Sequence, residues 1–384
     1  MKIKLSILKF YIIAGEASGD LHASNLMKAL IHLKPESDFR YWGGDKMSSV
    51  FGSPVKHIKD LAFMGFIEVV ANIKTISKNI SFCKKDILSY KPDALILVDY
   101  PGFNLRIAKF AKEHQIPVHY YISPQVWAWK QNRVFKIKKC VDEMYCILPF
   151  EKDFYKKFDM SVHYVGHPLI DAITNYKSTA PNKLDFTKKN NLSDQKIIAI
   201  LPGSRKQEIK IKLPIMLAAS KKFASYQIII AGAPNLSQEF YQEIAQDQKI
   251  VVVHNQTYAL LNHAFMAMVT SGTATLETAL FHVPEVVCYK GSSISYQIAK
   301  RLIKVKFISL VNLIMDKLVV TELIQNELTA EALYQELNYF KDENSEKRLN
   351  LIKEYQALEV KLGGGGASEK VAQLVIDSLR KIKS

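Results

Sequence analysis

Short apolar runs alternate with stretches of helical spacing along most of the chain. In the first half the predicted strands are "FYIIAG", "FRYWGG", "ALILVDY", "VHYYIS", "EMYCIL" and "VHYVGH". Between them lie amphipathic segments such as "NLRIAKFAKEHQ", where Leu105, Ile107, Ala108 and Ala111 recur near helical spacing. Strand-helix alternation predicts a parallel sheet covered by helices on both faces. The polar stretch "DAITNYKSTAPNKLDFTKKNNLSDQ" breaks the pattern and reads as a linker. The pattern restarts with "KIIAILPGSR", "YQIIIAG", "IVVVHN", "AFMAMVTSG" and "EVVCYK". The expectation is an α/β chain of two Rossmann-like domains facing a cleft. They span 1–175 and 196–362 and are joined by a linker at 176–195. A glycine-rich break opens the segment 363–384, a predicted C-terminal helix. It carries Val371, Leu374, Val375, Leu379 and Ile382 on one face and Ser368 as N-cap.

The length of 384 residues, too great for one ordinary core, agrees with two domains. Hydrophobic residues at 48% and charged residues at 23% fit a soluble globular protein. The net charge of +15 adds a demand for an acidic partner: nucleic acid, an anionic membrane surface or a phosphorylated substrate. The opening "MKIKLSILKFYII" mimics a secretory leader, but Lys9 interrupts it and "GEASGD" makes a poor cleavage site, so a buried first strand is expected. No run reaches the roughly 18 to 20 apolar residues of a membrane span. The cysteines Cys83, Cys140, Cys146 and Cys288 form no C-x-x-C pair and read as buried, reduced thiols.

In open α/β sheets ligands bind at the carboxyl ends of strands, so the loops after the strands carry the chemistry. Two loops in the second half suit a nucleotide diphosphate. In "LPGSR", Gly203 admits close backbone approach, Ser204 offers a hydroxyl and Arg205 a cationic fork. An ordinary strand-to-helix turn would look similar. In "TSGTATLETAL", Ser271, Gly272 and Thr273 would open a helix whose free N–H groups face an anion. Glu277, one turn on, suits a ribose diol, although helix caps of this kind are common.

The first half lacks that logic. "AGEASGD" has the small residues of a phosphate loop but holds Glu16 and Asp20. Asp99 ends the strand "ALILVDY", either as a turn aspartate or as a general base for a hydroxyl, whereas Asp93 starts that strand and belongs at its far end. There is no D-x-D pair, H-E-x-x-H, Walker loop or G-x-S-x-G elbow. His163 and His167 lie on a strand and turn rather than a helix. Neither a metal nor a cofactor is expected, so helix dipoles and Arg205 would have to stabilise a leaving diphosphate.

Taken together, "AGEASGDLHASNLMKAL", "FMGFIEVV", "PQVWAWKQNRVFKI", "LPFEKDFY", "VGHPLID", "LPGSRKQEI", "SGTATLET" and "VNLI" resemble the lipid-A-disaccharide synthase family from about residue 11 to about 325, and more weakly beyond. The resemblance implies a GT-B glycosyltransferase. It implies inverting transfer of 2,3-diacylglucosamine from UDP to 2,3-diacylglucosamine 1-phosphate, giving a β(1→6) disaccharide phosphate and UDP. It assigns Gly203, Ser204, Arg205, Ser271, Gly272, Thr273, Glu277, Asn312 and Gln325 to the nucleotide. It places the first-half acids in the catalytic and acceptor region: Asp99 and Glu16 are expected in catalysis and Asp20, with Ser18, at the acceptor sugar, while Phe63 and Met64 are expected at the acceptor through their apolar stretch. Gly102 stands where some members carry a second acid, so the base role falls to Asp99, with Glu16 and Asp20 as alternatives. "VVTELIQ" also departs from the usual form around Gln325.

Acylated substrates imply a cytoplasmic protein peripheral on the cytoplasmic face of the inner membrane. "LAFMGFIEVVANIKTI", with Phe63, Met64 and Phe66, would dip into lipid, line an acyl groove or form a core helix. The basic clusters "KQNRVFKIKK" and "KRLIKVK" would face anionic lipid, or only solvent. A second copy of the chain is a candidate partner. A UDP-sugar 2-epimerase would share the architecture but need no lipid site, and the phenylalanine-rich stretch and "PQVWAWK" argue against it. A nucleic-acid module would interleave aromatic and basic residues on one surface. Here the basic residues are spread through both halves, so no nucleic acid is expected.

Overall fold

The structure, a computed structural model, describes residues 7–61, 73–246, 248–291 and 305–383. Two compact units emerge: residues 1–168 together with 365–384, and residues 169–364.

The first unit holds a sheet of β1 (Lys9–Ala14), β2 (Asp38–Gly43), β3 (Lys56–His57), β4 (Ala94–Val98), β5 (Val118–Tyr121), β6 (Glu143–Cys146) and β7 (His163–Tyr164). Their spatial order is β3-β2-β1-β4-β5-β6-β7, with every pairing parallel. Ile12 registers against Tyr41 on one side and Ile96 on the other. All of β4 is buried, and β1 from Phe10 onward, as a sheet covered on both faces requires of its central strands.

The second unit repeats the plan with β8 (Lys196–Leu201), β9 (Tyr226–Gly232), β10 (Val251–His254), β11 (Ala264–Thr270), β12 (Glu285–Tyr289) and β13 (Thr321–Ile324). Their order is β10-β9-β8-β11-β12-β13, again parallel. In each sheet the order reverses beside its first strand, between β1 and β4 and between β8 and β11. Those reversals are the switch points at which doubly wound sheets bind ligands.

Three features differ from the sequence expectation. The stretch 176–195, expected as the linker between domains, lies within the second unit. The helix Pro168–Thr179 runs into it, and a second helix, Lys183–Lys189, follows, capped by the Asn182 side chain and buried through Phe186. The C-terminal helix, Ala367–Lys383, belongs to the first unit, where Val371, Ala372, Val375, Ile376 and Leu379 join Leu26, Met27 and Leu30 in one core cluster. Of the predicted face, Val371, Val375 and Leu379 are buried and Leu374 packs against the cluster, while Ile382 is 61% exposed. Ser368 lies inside this helix rather than capping it, since the Lys370 N–H already bonds to the Gly366 carbonyl. The four cysteines are free and buried.

Candidate functional site

At the β1/β4 switch point the first unit presents two loops. After β1 the chain passes Gly15 and Glu16 into the helix Ala17–Leu33. Glu16 sits at the N-cap in extended conformation, with its side chain making no cap hydrogen bond, so the carboxylate is left at the positive end of the helix. After β4, Asp99 and Tyr100 both take left-handed backbone, with φ of 46° and 48°. Two successive non-glycine residues in that region are strained and persist only where the surroundings impose them. Here Asn104 Nδ2 and the Tyr120 hydroxyl both donate to the Asp99 carbonyl, at 2.7 and 2.6 Å, and the Asp99 N–H donates to the Tyr121 carbonyl. Asn104 Nδ2 also lies 3.3 Å from the Val98 carbonyl and 3.5 Å from that of Ile13, bridging the ends of β4 and β1.

Held this way, the Asp99 carboxyl is pushed up to about 6, by burial first and by the neighbouring Glu16 charge second. A carboxylate tuned toward neutrality is suited to accepting a proton from a hydroxyl. Asp93, at the other end of β4, accepts the Lys9 N–H and is remote from this chemistry. Ser18 is exposed in the first turn of the opening helix.

Asp20 does something different from the expected acceptor contact. It is 3% exposed and accepts the backbone N–H groups of Gly44, Lys46 and Met47 at 2.7, 3.0 and 3.1 Å. It thus satisfies the open amides of the short helix Asp45–Ser48 and ties the first helix to the end of β2. A Cβ at Gly44 would lie 2.7 Å from its Oδ2, so glycine there admits the carboxylate. Phe63 and Met64 lie outside the described residues.

A carboxylate that sequence reasoning missed is Glu151, after β6. It is 1% exposed, accepts the N–H groups of Ile147 and Leu148, and is pushed by burial up to about 7. The motif "LPFEKDFY" was its only signal. His163 pairs with Glu143 at 2.8 Å, while His167 is buried and held neutral by desolvation and by His22.

The second unit has a cavity of about 520 Å³ at the β8/β11 switch point, within the range of small-molecule sites. "LPGSR" and "SGT" both line it, as do Glu277, Glu208, Lys212, Thr270, Thr257 and Tyr289. Gly203 has φ of 108° and Gly272 of 139°, conformations that side chains disfavour. Among the described residues nothing lies within 4 Å of where a Gly272 Cβ would be, so on that side the start of the helix Thr273–Leu280 is open to a ligand. Ser271 is already engaged, donating to the Ile308 carbonyl at 2.8 Å. Glu277 accepts the Tyr258 hydroxyl at 3.1 Å, and burial holds its carboxyl above the ordinary range. Arg205 is bound through Nη1 to Glu208 at 2.9 Å. Glu208, Lys212 and Thr270 had no assigned role in the sequence reading, although the helical spacing of Glu208 and Lys212 put them on one face.

Asn312 does not join this cavity. It is fully buried and its amide is saturated: Nδ2 donates to the Val320 carbonyl and Glu322, and Oδ1 accepts the N–H groups of Val319 and Val320. Its surroundings make it the organiser of the 316–320 turn, leaving no group for a nucleotide. Gln325 follows β13, takes φ of 54°, and accepts the Gly291 N–H at 3.1 Å. It is absent from the cavity wall among the described residues.

Comparison with known proteins adds an independent line. A family model described as lipid-A-disaccharide synthetase matches residues 10–374. The chain is 38% identical over 379 residues to a lipid-A-disaccharide synthase of Geobacter metallireducens, covering 96% of this chain and 97% of that one. It is 36% identical over 369 residues to one of Coxiella burnetii, covering 95% and 96%. Among solved structures it resembles a UDP-GlcNAc 2-epimerase of Methanocaldococcus jannaschii in complex with UDP-GlcNAc and UDP, at TM-score 0.66, 14% identity and coverage of 96% and 99%. It also resembles the glycotransferase of kitacinnamycin, at TM-score 0.62, 11% identity and coverage of 97% and 99%. At those identities the structures show the shared fold alone.

Proposed function

The chain belongs to the lipid-A-disaccharide synthase family, and from that premise we propose how its two units divide the reaction. The protein is a glycosyltransferase of lipid A biosynthesis, built on the GT-B fold. In our reading the second unit holds the UDP of the diacylglucosamine donor. The Gly203 loop and the Thr273–Leu280 helix start take the diphosphate, Arg205 supplies charge, and Glu277 accepts hydrogen bonds from the ribose. The first unit serves the diacylglucosamine 1-phosphate acceptor. Asp99 accepts the proton of its 6-hydroxyl as that oxygen attacks the anomeric carbon, and burial together with Glu16 keeps the Asp99 carboxyl high enough to take it. The C1–O bond to UDP breaks as the new C1–O bond forms, so the configuration inverts. Developing negative charge on the leaving diphosphate meets Arg205 and the free helix amides.

The observation that carries this reading is the difference between the two switch points. Glu16 and Asp99 flank β1/β4, whereas at β8/β11 the glycine turns carry the cations Arg205 and Lys212 beside Glu208 and Glu277. The test is Asp99→Asn: UDP affinity stays within about twofold and turnover falls at least about a hundredfold, in the range removal of a general base produces. Near-normal turnover would remove Asp99 from the role.

We also propose that the enzyme works peripherally at the cytoplasmic face of the inner membrane. No helix among the described residues is long and apolar enough to cross a bilayer. From residue 114 to residue 141 the sequence contains no acid, and the helix Arg133–Cys140 exposes Phe135, Lys136, Lys138 and Lys139. Each such cation contributes roughly 1 kcal/mol at an anionic surface. Sedimentation with anionic liposomes tests this: binding lost at high salt is expected, and no binding at low salt would refute it.

A further inference from the structure

The wall of the second unit's cavity contains a group that the fold by itself gives no reason to bury. Lys212 is 2% exposed, on the helix Lys206–Ser220. Its partner among the described residues is Glu208, with Nζ 3.4 Å from Oε2. A buried ammonium with one long hydrogen bond is a costly arrangement. Helical side chains lean toward the N-terminus, so a lysine in the second turn reaches back toward the first. That is the positive end of the helix, where cations are disfavoured. Arg205, 72% exposed, stands at the same end and shares Glu208 through the other oxygen, Oε1, at 2.9 Å. One carboxylate therefore faces two cations and a helix N-terminus.

A second group in the same wall is under-partnered. Thr270, the last residue of β11, is 6% exposed, and its Oγ1 has no hydrogen-bond partner among the described residues. It lies across the Gly203 turn: a Cβ on Gly203 would be 3.7 Å from Oγ1 and 3.5 Å from Glu208 Oε2. The glycine thus keeps side-chain bulk out of the space between Thr270 and the Glu208–Lys212 pair.

We propose that Lys212 is a phosphate-binding residue of this cavity, with Glu208 holding it and Arg205 at the wall and Thr270 offering its hydroxyl to the same anion. The ligand is the diphosphate of a nucleoside diphosphate, so the inference rests on the donor-site reading above. Glu208 acts as an internal counter-ion that keeps a buried cation charged and positioned. The diphosphate then completes the neutralisation of two cations and a helix dipole, which one carboxylate only begins.

Calorimetric titration of the full chain with UDP and with uridine tests this. The native protein is expected to bind UDP at least about tenfold more tightly than uridine, and failure of that preference would refute the donor-site reading itself. Lys212→Met is expected to weaken UDP at least about tenfold and to leave uridine within about twofold. UDP affinity unchanged within twofold would overturn the role of Lys212 alone. The double variant Lys212→Met with Glu208→Gln separates contact from mere neutralisation. It stays weak for UDP if the ammonium meets phosphate, and recovery to within twofold of the native value would overturn the proposal. Should methionine at this position prevent folding, Lys212→Gln carries the same comparison.

Discussion

The Tyr100 ring lies against the backbone of Gly15, so closely that a Cβ on Gly15 would fall 2.3 Å from Tyr100 Cδ1. The contact joins the loop after β1 to the loop after β4, and Tyr100 is the neighbour of Asp99 in the strained left-handed pair. Gly15→Ala must move the ring, and with it the backbone that aims Asp99. Turnover is expected to fall at least about tenfold, since misplacing a catalytic group by about an ångström costs that much or more. UDP binding, measured by calorimetry, is expected to stay within about twofold. Unchanged turnover would mean that Tyr100 does not position Asp99.

The raised Asp99 carboxyl predicts a pH dependence. A base acts when deprotonated, so kcat/KM falls as pH drops through about 6, the value to which burial and Glu16 bring it. Glu16→Gln removes the charge that helps raise it, so the acid limb moves to lower pH. A limb that stays in place in Glu16→Gln would assign it to another group.

Asp20 offers a contrast among the acids of one loop. With its carboxylate accepting three backbone N–H groups in a buried site, Asp20→Ala should destabilise the fold by on the order of 3 kcal/mol. Denaturant unfolding checks this. A variant as stable as the native protein, but inactive, would return Asp20 to the acceptor.

Much of this arrangement was legible in the chain. Apolar runs such as "FYIIAG" and "ALILVDY" marked central strands because parallel strands buried on both faces cannot alternate. The short edge strands β3 and β13 carried no such run. The loops of the second unit's cavity showed themselves through Gly203 and Gly272, whose conformations need glycine. What motifs could not reveal was partnership. Asp20 and Asn312 look like ligand groups until the backbone amides they serve are seen, 24 and seven residues away at the nearest. The buried Lys212 looks like any surface lysine of an amphipathic helix until its burial is known. The C-terminal helix betrayed its amphipathic face but not which unit it packs on, because long-range docking leaves no local signature.

Glu285, the first residue of β12, is fully buried, and neither carboxyl oxygen has a hydrogen-bond partner among the described residues. Burial holds this carboxyl well above the usual range and so favours its neutral form in the native state. The neutral acid is compatible with the fold below the unfolded pKa of about 4.3, and stability is lost as pH rises above that toward the folded value. Glu285→Gln removes this slope. The melting temperature of the variant should exceed that of the native protein by more at pH 8 than at pH 5. A constant difference would show that Glu285 has a partner that supports its charge.

Glycosyl transfer between two acylated sugars is read from the products of the purified protein. The protein would be given UDP-2,3-diacylglucosamine with and without 2,3-diacylglucosamine 1-phosphate, and the products resolved by mass spectrometry and NMR. UDP and a β(1→6)-linked tetra-acyl disaccharide 1-phosphate are expected in equal amounts, and neither without the acceptor. Inversion at C2 of the UDP-sugar that proceeds without acceptor, and no disaccharide with it, would contradict glycosyl transfer.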